Sequence, residues 1–236
     1  MDPEQQKTRR LYNYIKVQDR VKLPPQIEED MGKKTLFIEF ESVMCFTYIP
    51  DENTGYMANP ANIDPEEQMY DPTQGLKGLN VWYYPRPHLR EFLAYASEHF
   101  EPILYTRGEK KYADFVLEKI DPMRNIFRHR LYQNACYHLE KNDEDLNEFI
   151  KDVTQFDRDP KKVLLLDHSP LNFILNPDNV IPCIPYMAEK TYDDVDDTFL
   201  LALKEELSEF KDEDDVREMS REKFDVQQIL KNSKLI

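Results

Sequence analysis

The chain is short of cysteine, of long apolar runs and of basic charge. Three cysteines occur in 236 residues, Cys45, Cys136 and Cys183. An odd number of widely separated thiols excludes a disulfide scaffold. No CxxC pair offers metal spacing, so reduced, mostly buried thiols are expected. The longest apolar runs are short, such as Val163 to Leu166, whereas a bilayer crossing needs about 20 residues. No stretch has the order of charged, apolar and small residues that marks a secretory signal. Lys and Arg total 31 against 46 Asp and Glu, a formal net charge of -15. A chain so acidic lacks the basic face that holds a phosphate backbone, so nucleic acid is excluded as a partner. What remains is ample for a core: 40% hydrophobic and 12% aromatic residues, in a length suited to one large domain with tails.

Residues 1–32 have no strong apolar period. Their first half is basic, then come Pro24-Pro25 and Glu28-Glu29-Asp30. The segment reads as an extended arm, and Tyr12, Tyr14, Ile15 and Val17 favour its lying on a partner or on the domain's own flank. Thr35 to Phe40 is a near-continuous apolar run, the pattern of a strand buried on both faces of a parallel sheet. Residues 46–82 carry many breakers and read as a long insertion loop of the functional kind, with Val81-Trp82-Tyr83-Tyr84 as the strand returning from it. Apolar residues at 89, 92, 93 and 96 predict a helix. Pro102 to Thr106 predicts a second core strand, and Lys110 to Ile120 a second helix ended by Asp121-Pro122. Asp145 to Ile150 reads as a short acidic helix or loop. Lys162 to Leu166 is the clearest core strand, Val180 to Ile184 a further one, and Thr198 to Phe210 an amphipathic helix. Asp193 to Asp197, just before it, reads as a favourable negative helix start. The expected division is an arm at 1–32, a domain at 33–210 containing the 46–82 insertion, and a charged helical tail at 211–236. Strands alternating with helices imply an α/β fold, a mostly parallel central sheet with helices on both faces.

In open α/β sheets, reacting groups gather at the carboxyl ends of strands. Three expected strands end in polar residues here: Glu39-Phe40-Glu41-Ser42-Val43, Thr106-Arg107 and Asp167-His168-Ser169-Pro170. Lys151-Asp152 lies between the second and third. Taken singly, each is ordinary: a Lys-Asp pair usually marks solvated surface, and a histidine at a strand end is more often a hydrogen-bonded core residue than a metal ligand. Together, carboxylates at i and i+2, a hydroxyl, a lysine and a further Asp are the parts of a Mg²⁺ and phosphate site.

The stretches KTLFIEFESV, YYPRPHLREFL, PILYTRGEKKYADFVLEKIDP, FRHRLYQNACYH, FIKDVTQFDRDPKKVLLLDHSP and NPDNVIPCIPY carry a resemblance. From about Lys34 to about Val216 the chain resembles the NIF-type branch of the haloacid dehalogenase superfamily. That branch holds the small phosphatases of the RNA polymerase II tail, the dullard-type phosphatases and the presequence receptor of the mitochondrial inner-membrane translocase. The resemblance implies the superfamily's three-layer Rossmann-like fold with a long insertion after the first strand. It also implies an aspartyl nucleophile and an acid/base Asp in a DxDxT pattern, a phosphate-binding Lys, and Mg²⁺.

The matching positions depart from that pattern. Glu39 and Glu41 stand for the two Asp, and Val43 for the Thr; Asp167-His168 stands for a metal-holding Asp-Asp or Asp-Asn. Thr106 and Lys151 match. Glutamate adds a methylene, and a misplacement of about 1 Å can cost about 100-fold in rate. Nitrogen is also a poor partner for Mg²⁺. The expectation drawn is a catalytically silent phosphatase-fold subunit of a larger assembly. Glu39, Glu41, Val43, Thr106 and Lys151 would be degenerate catalytic positions, and Glu39, Glu41, Asp167 and His168 a vestigial Mg²⁺ site, with no cofactor held unless activity remains. Lys151 would then pair with Glu39, Glu41 or Asp167. Partners would be proteins, met through the arm, the 46–82 loop and the tail. Lys119-Ile120-Asp121-Pro122 and Asp157-Arg158-Asp159-Pro160 lean towards the translocase branch, which favours a mitochondrial inner-membrane complex over cytoplasm or nucleus, although the N-terminus is a poor transit peptide. The alternatives are a Mg²⁺-dependent protein Ser/Thr phosphatase and a receptor for basic presequences, which the net charge would attract. At Arg86-Pro87-His88 the family commonly has Gly in place of His; histidine tolerates positive φ better than most residues but at a cost, which leaves the geometry of this loop open while the fold stands.

Overall fold

The computed structural model describes residues 13–16, 21–50, 65–71, 79–140, 147–188, 197–233 and 235. Tyr12, Val17, most breakers of the insertion, Asp145 and the acidic residues 193–196 lie outside the described residues. In chain order the strands are β1 (Asn13–Lys16), β2 (Lys34–Ile38), β3 (Cys45–Tyr48), β4 (Glu67–Asp71), β5 (Leu79–Pro85), β6 (Phe100–Tyr105), β7 (His129–Leu131), β8 (Tyr137–Glu140), β9 (Asn147–Ile150), β10 (Val163–Asp167) and β11 (Val180–Pro182). The helices are α1 (Leu89–His99), α2 (Lys110–Ile120), α3 (Phe199–Phe210), α4 (Val216–Lys223) and α5 (Val226–Asn232).

Five strands form a parallel sheet in the order β11-β10-β2-β6-β7. Both faces are dry, and the alternation along each strand shows why its sequence is apolar throughout. Leu36 and Ile38 of β2, Leu104 of β6 and Leu164 and Leu166 of β10 point into one core. Phe37, Ile103, Tyr105, Val163 and Leu165 point into the other. The first core is covered by α1, α2 and α3, the second by short 3-10 turns and α5. The expected α/β architecture, parallel at its centre and covered on both faces, is the one observed.

Helix α1 buries Leu89, Phe92, Leu93 and Ala96, the four positions its spacing singled out. It starts from His88, in the left-handed region at φ 65, where a Cβ costs roughly 1–2 kcal/mol. Helix α2 buries Ala113, Val116, Leu117 and Ile120 and stops at Asp121. That buried carboxylate accepts from the backbone amides of Asn125, Ile126 and Phe127 and from Arg130.

Three segments differ from the sequence reading. Part of the insertion is folded: β3, β5 and β4 make a small antiparallel sheet, its aromatic ladder of Phe46, Tyr48, Trp82 and Tyr84 packing on Tyr186. Residues 147–150 form a strand rather than a helix or loop, because β9 pairs with β8, which in turn pairs with β1 from the arm. The charged segment after α3 is helical as expected, but it folds back on the domain as α4 and α5 and buries Val216, Val226 and Leu230. Two further described residues of the arm are tied down as well: Leu23 is buried, and Asp30 pairs with Arg128 and Lys33. The three cysteines are buried and free.

At the amino end of the sheet, Glu101 of β6 is 1% exposed. It takes Arg158 in two hydrogen bonds, at 2.9 and 2.5 Å, with Thr35 at 2.6 Å and Gln26 at 3.1 Å. Burial pushes its pKa up, but these four bonds outweigh burial and hold it below the ordinary carboxylate value. A carboxyl with a depressed folded pKa stabilises above its unfolded value of about 4.3, and the gain disappears as pH falls through the folded one. Glu101→Gln should therefore cost ~1.5–3 kcal/mol at neutral pH. In denaturant melts the gap from wild type should narrow as pH falls below the unfolded value and close once pH is below the folded one, where both chains carry an uncharged group; a gap independent of pH would refute this account.

Candidate active site

The order of the central sheet puts β2 between β10 and β6, so that the chain passes from β2 to β6 on one side and from β10 to β11 on the other. The carboxyl edge there is where an open α/β sheet forms its cleft. Glu39 is the first residue past β2, and its amide still donates to Leu166 O at 3.0 Å. Thr106 is the first past β6, and its amide donates to Leu131 O at 3.0 Å. Asp167 ends β10, and β9 delivers Lys151. The structure thus brings together Glu39, Thr106, Lys151 and Asp167, all at most 3% exposed.

Lys151 is the hub. Its Nζ donates to Glu39 Oε2 at 2.6 Å and to Asp167 Oδ2 at 2.5 Å, and lies 5.5 Å from the centre of the Tyr105 ring. Burial works against its charge, but Asp167 and Glu39 outweigh it and raise its pKa above the ordinary lysine value. Asp167 shows the converse: burial would raise it, yet Lys151 and the Ser169 amide hold it low. The expected lysine–carboxylate contact is present, with Glu39 and Asp167 as the partners.

The longer side chain of Glu39 does not simply overreach. It curls back so that Oε1 accepts from the amides of Phe40 at 2.9 Å and Glu41 at 3.3 Å. The Glu41 side chain has other partners. Thr47 of β3 donates to its two oxygens at 2.9 and 3.1 Å, and Tyr112 of α2 donates to Oε1. Burial pushes the Glu41 carboxyl up to about 7, with Tyr112 and Thr47 pulling it back. Just after Glu41, Ser42 adopts φ 57 and the loop closes through Ser42 N to Cys45 O at 2.7 Å. Val43 points into the core and is 0% exposed, so it is a packing residue here. The Thr106 hydroxyl accepts from Gly108 N at 3.0 Å. His168 is partly exposed; its Nδ1 is 4.0 Å from Asp167 Oδ1 and has no hydrogen-bond partner among the described residues. Burial depresses its pKa against the opposing pull of Asp167 and Glu39.

Several residues of the site were not singled out in the sequence. Asn172 accepts from Lys151 N at 3.1 Å and donates to Asp167 Oδ2 at 2.9 Å. Asn176 donates to Lys151 O at 2.8 Å and accepts from Val153 N at 2.8 Å. Their signal was two asparagines four apart just after the strand that ends in Asp167. Thr47 and Tyr112 carried no comparable signal, since each is an ordinary residue of its element. Arg86 was noted only for its loop, yet it is buried. It donates to Asp197 at 2.9 Å and to Ile184 O at 2.8 Å, and lies 4.2 Å from the Phe199 ring centre.

The family resemblance implies Mg²⁺ held by Glu39, Glu41, Asp167 and His168. The residues present do not fit it. The space between Glu39 and Asp167 holds the Lys151 ammonium, Glu41 is committed to Thr47 and Tyr112, and His168 offers nitrogen where Mg²⁺ favours oxygen. Among the described residues, no group of three or more His, Cys, Asp or Glu is disposed to hold a metal ion, and no helix is long and apolar enough to cross a membrane.

With this geometry in hand, comparison with known proteins gives the chain its relatives. The family model described as "NLI interacting factor-like phosphatase" matches residues 46–217, a span that contains Thr106, Lys151 and Asp167 and begins after Glu39. CTD small phosphatase-like protein 1 of Caenorhabditis elegans is 32% identical over 186 residues, 78% of this chain and 33% of that protein. Phosphatase Herzog of Drosophila melanogaster is 31% identical over 187 residues, 79% of this chain and 46% of that protein. The mouse RNA polymerase II carboxy-terminal domain small phosphatase 2 is 28% identical over 205 residues, 87% of this chain and 67% of that protein. The chain thus spans one third to one half of the length of the first two relatives. The solved structure of the fission yeast RNA polymerase II CTD phosphatase Fcp1 bound to beryllium fluoride shares the fold. Its TM-score is 0.50 at 21% identity, covering 75% of this chain and 50% of that one. These relatives are named phosphatases. They overturn the expectation of a catalytically silent structural subunit of a larger assembly, which rested on Glu39, Glu41, Val43 and His168 departing from the family pattern and on the arm, loop and tail. The chain belongs to the NLI interacting factor-like phosphatase family of the haloacid dehalogenase superfamily.

Proposed function

We propose that the chain is a protein phosphatase that removes phosphate from phosphorylated side chains by a covalent route through Glu39. The observation that carries this reading is the Glu39 carboxylate at the carboxyl edge of the sheet, held by two backbone amides and by Lys151. A Glu39 oxygen attacks phosphorus and the ester P–O bond breaks. The departing side-chain oxygen takes a proton from Glu41, whose carboxyl titrates near 7, a value suited to acid and base duty at neutral pH. Water, giving its proton to Glu41, then attacks phosphorus of the acyl phosphate, and the phosphate–Glu39 bond breaks to release inorganic phosphate and restore the carboxylate. Lys151 stabilises the charge that gathers on the phosphoryl oxygens.

Three features favour a polypeptide substrate. Relatives are named for the carboxy-terminal domain of RNA polymerase II. The folded insertion borders the site directly through Thr47 and Glu41. The segment after β11 runs past the Ser42 turn, Tyr186 N donating to Ser42 O at 2.7 Å, and it carries the exposed Ile184 and Met187. Together these make an apolar rim on which an extended chain can lie. Protein contacts through the arm and the C-terminal segment belong to this same proposal.

The test is release of inorganic phosphate from phosphoserine peptides by the purified chain. Glu39→Gln should lower turnover by roughly three orders of magnitude, and acid quenching of the wild type should trap phosphate on the peptide that contains Glu39. Undiminished turnover in Glu39→Gln would remove the nucleophile from this scheme. In rapid acid-quench experiments that read only the first step, phosphorylation of Glu39, Glu41→Gln should slow alkyl phosphates by ~10²–10⁴-fold while sparing aryl phosphates, whose leaving groups need no proton; equal loss on both in that step would mean that Glu41 is not the acid.

A further inference from the structure

The strand-end cluster is arranged around a cation that the chain itself supplies. Lys151 Nζ lies 2.6 Å from Glu39 Oε2 and 2.5 Å from Asp167 Oδ2, and its side chain is 0% exposed. The oxygens around it are already engaged. Glu39 Oε1 accepts from the Phe40 and Glu41 amides, Asp167 Oδ1 from the Ser169 amide, and Asp167 Oδ2 also from Asn172 Nδ2. A Mg²⁺ ion demands oxygen ligands at about 2.1 Å in near-octahedral order. An ion bridging these two carboxylates would have to enter the space that the ammonium fills, against a like charge and at the loss of both lysine bonds.

The lysine is also fixed from behind. Asn172 accepts from its backbone amide at 3.1 Å, and Asn176 donates to its carbonyl at 2.8 Å. Tyr105, 0% exposed, lies with its ring centre 5.5 Å from Nζ. Yielding the site would mean moving a clamped backbone rather than rotating a surface side chain. The two neighbours that could complete a metal shell are otherwise disposed: Glu41 is held by Thr47 and Tyr112, and His168 presents nitrogen.

We infer that the Lys151 ammonium replaces the divalent cation at this site, so that the chain binds and turns over phosphate esters without a metal. The three donors of the ammonium give it the part a metal would take: two hold Glu39 and Asp167, and the third serves a phosphoryl oxygen. This inference rests on the proposed phosphatase reading for its substrate. Its account of cation binding rests on the geometry alone.

Two measurements on the full chain decide it. Thermal melts in EDTA, in millimolar Mg²⁺ and in millimolar Mn²⁺, at matched ionic strength, should coincide. A rise of several degrees that saturates with either metal would overturn the inference, because a ligand bound at this site would raise the melting temperature by mass action. Turnover of a phosphoserine peptide should agree within about twofold between EDTA and Mg²⁺, the expected result where no metal takes part. A tenfold or greater loss in EDTA, restored by Mg²⁺, would also overturn it. The two claims fail separately. A chain without turnover whose melt ignores both metals sinks the proposed reaction and leaves the cation replacement standing. An active chain that Mg²⁺ stimulates and stabilises does the reverse.

Discussion

One ammonium group between two carboxyl groups, in the dry interior, is the constraint around which the rest of the molecule is arranged. Lys151, Glu39 and Asp167 come from segments separated by 112 and 16 residues. A buried pair contributes little net stability once desolvation is counted, but removing one partner typically costs about 3–5 kcal/mol, because the other charge is stranded. The cluster therefore acts as a condition on folding. β2, β10 and β9 must all be in place before any of the three groups is satisfied, and the Asn172 and Asn176 side chains complete the enclosure by occupying the lysine's backbone.

Around that centre, the smaller pieces of structure have definable tasks. The hairpin of β8 and β9, extended by β1 from the arm, is the element that presents Lys151. The sheet of β3, β5 and β4 presents Thr47 to Glu41 and, through its aromatic ladder, anchors Tyr186. Arg86 joins the start of α1 to the segment after β11 by bonding Ile184 O and Asp197 at once, while Val43 O accepts from it at 3.4 Å. Buried arginine suits this place because its planar fork meets several acceptors that a lysine could reach only one at a time. The site is thus assembled on rigid strand ends and then enclosed by segments that the central sheet does not itself contain.

Judging catalysis from side-chain length treats the backbone as a fixed post and the side chain as a straight rod. Glu39 shows why that fails. Its extra methylene is taken up by a bend that returns one oxygen to the next two amides and leaves the other for Lys151. Glu41, with the same added length, reaches sideways to Tyr112 and Thr47, and burial brings its titration near neutrality against the downward pull of those two hydrogen bonds. Two chemically identical substitutions thus have different environments, and environment sets the role a carboxyl can play.

Residue order alone determined the parallel sheet, the helices at 89–99 and 110–120, and the gathering of Glu39, Thr106, Lys151 and Asp167. Period and composition report burial on one or both faces, and strand ends are where an α/β sheet collects polar groups. It also carried the Lys151–carboxylate contact, since converging acids need a counter-charge. Tertiary structure alone decided the rest. The strand at 147–150 forms because a neighbour supplies its hydrogen bonds, not because its own residues prefer it. The charged C-terminal segment packs through a few buried side chains, Val216, Val226 and Leu230, that its charge obscures. Asn172, Asn176, Thr47 and Tyr112 acquire their importance from what lies 21, 25, 6 and 71 residues away. A linear sequence states which groups exist, while the distance at which two of them meet, and whether water lies between, is settled only when the chain closes on itself.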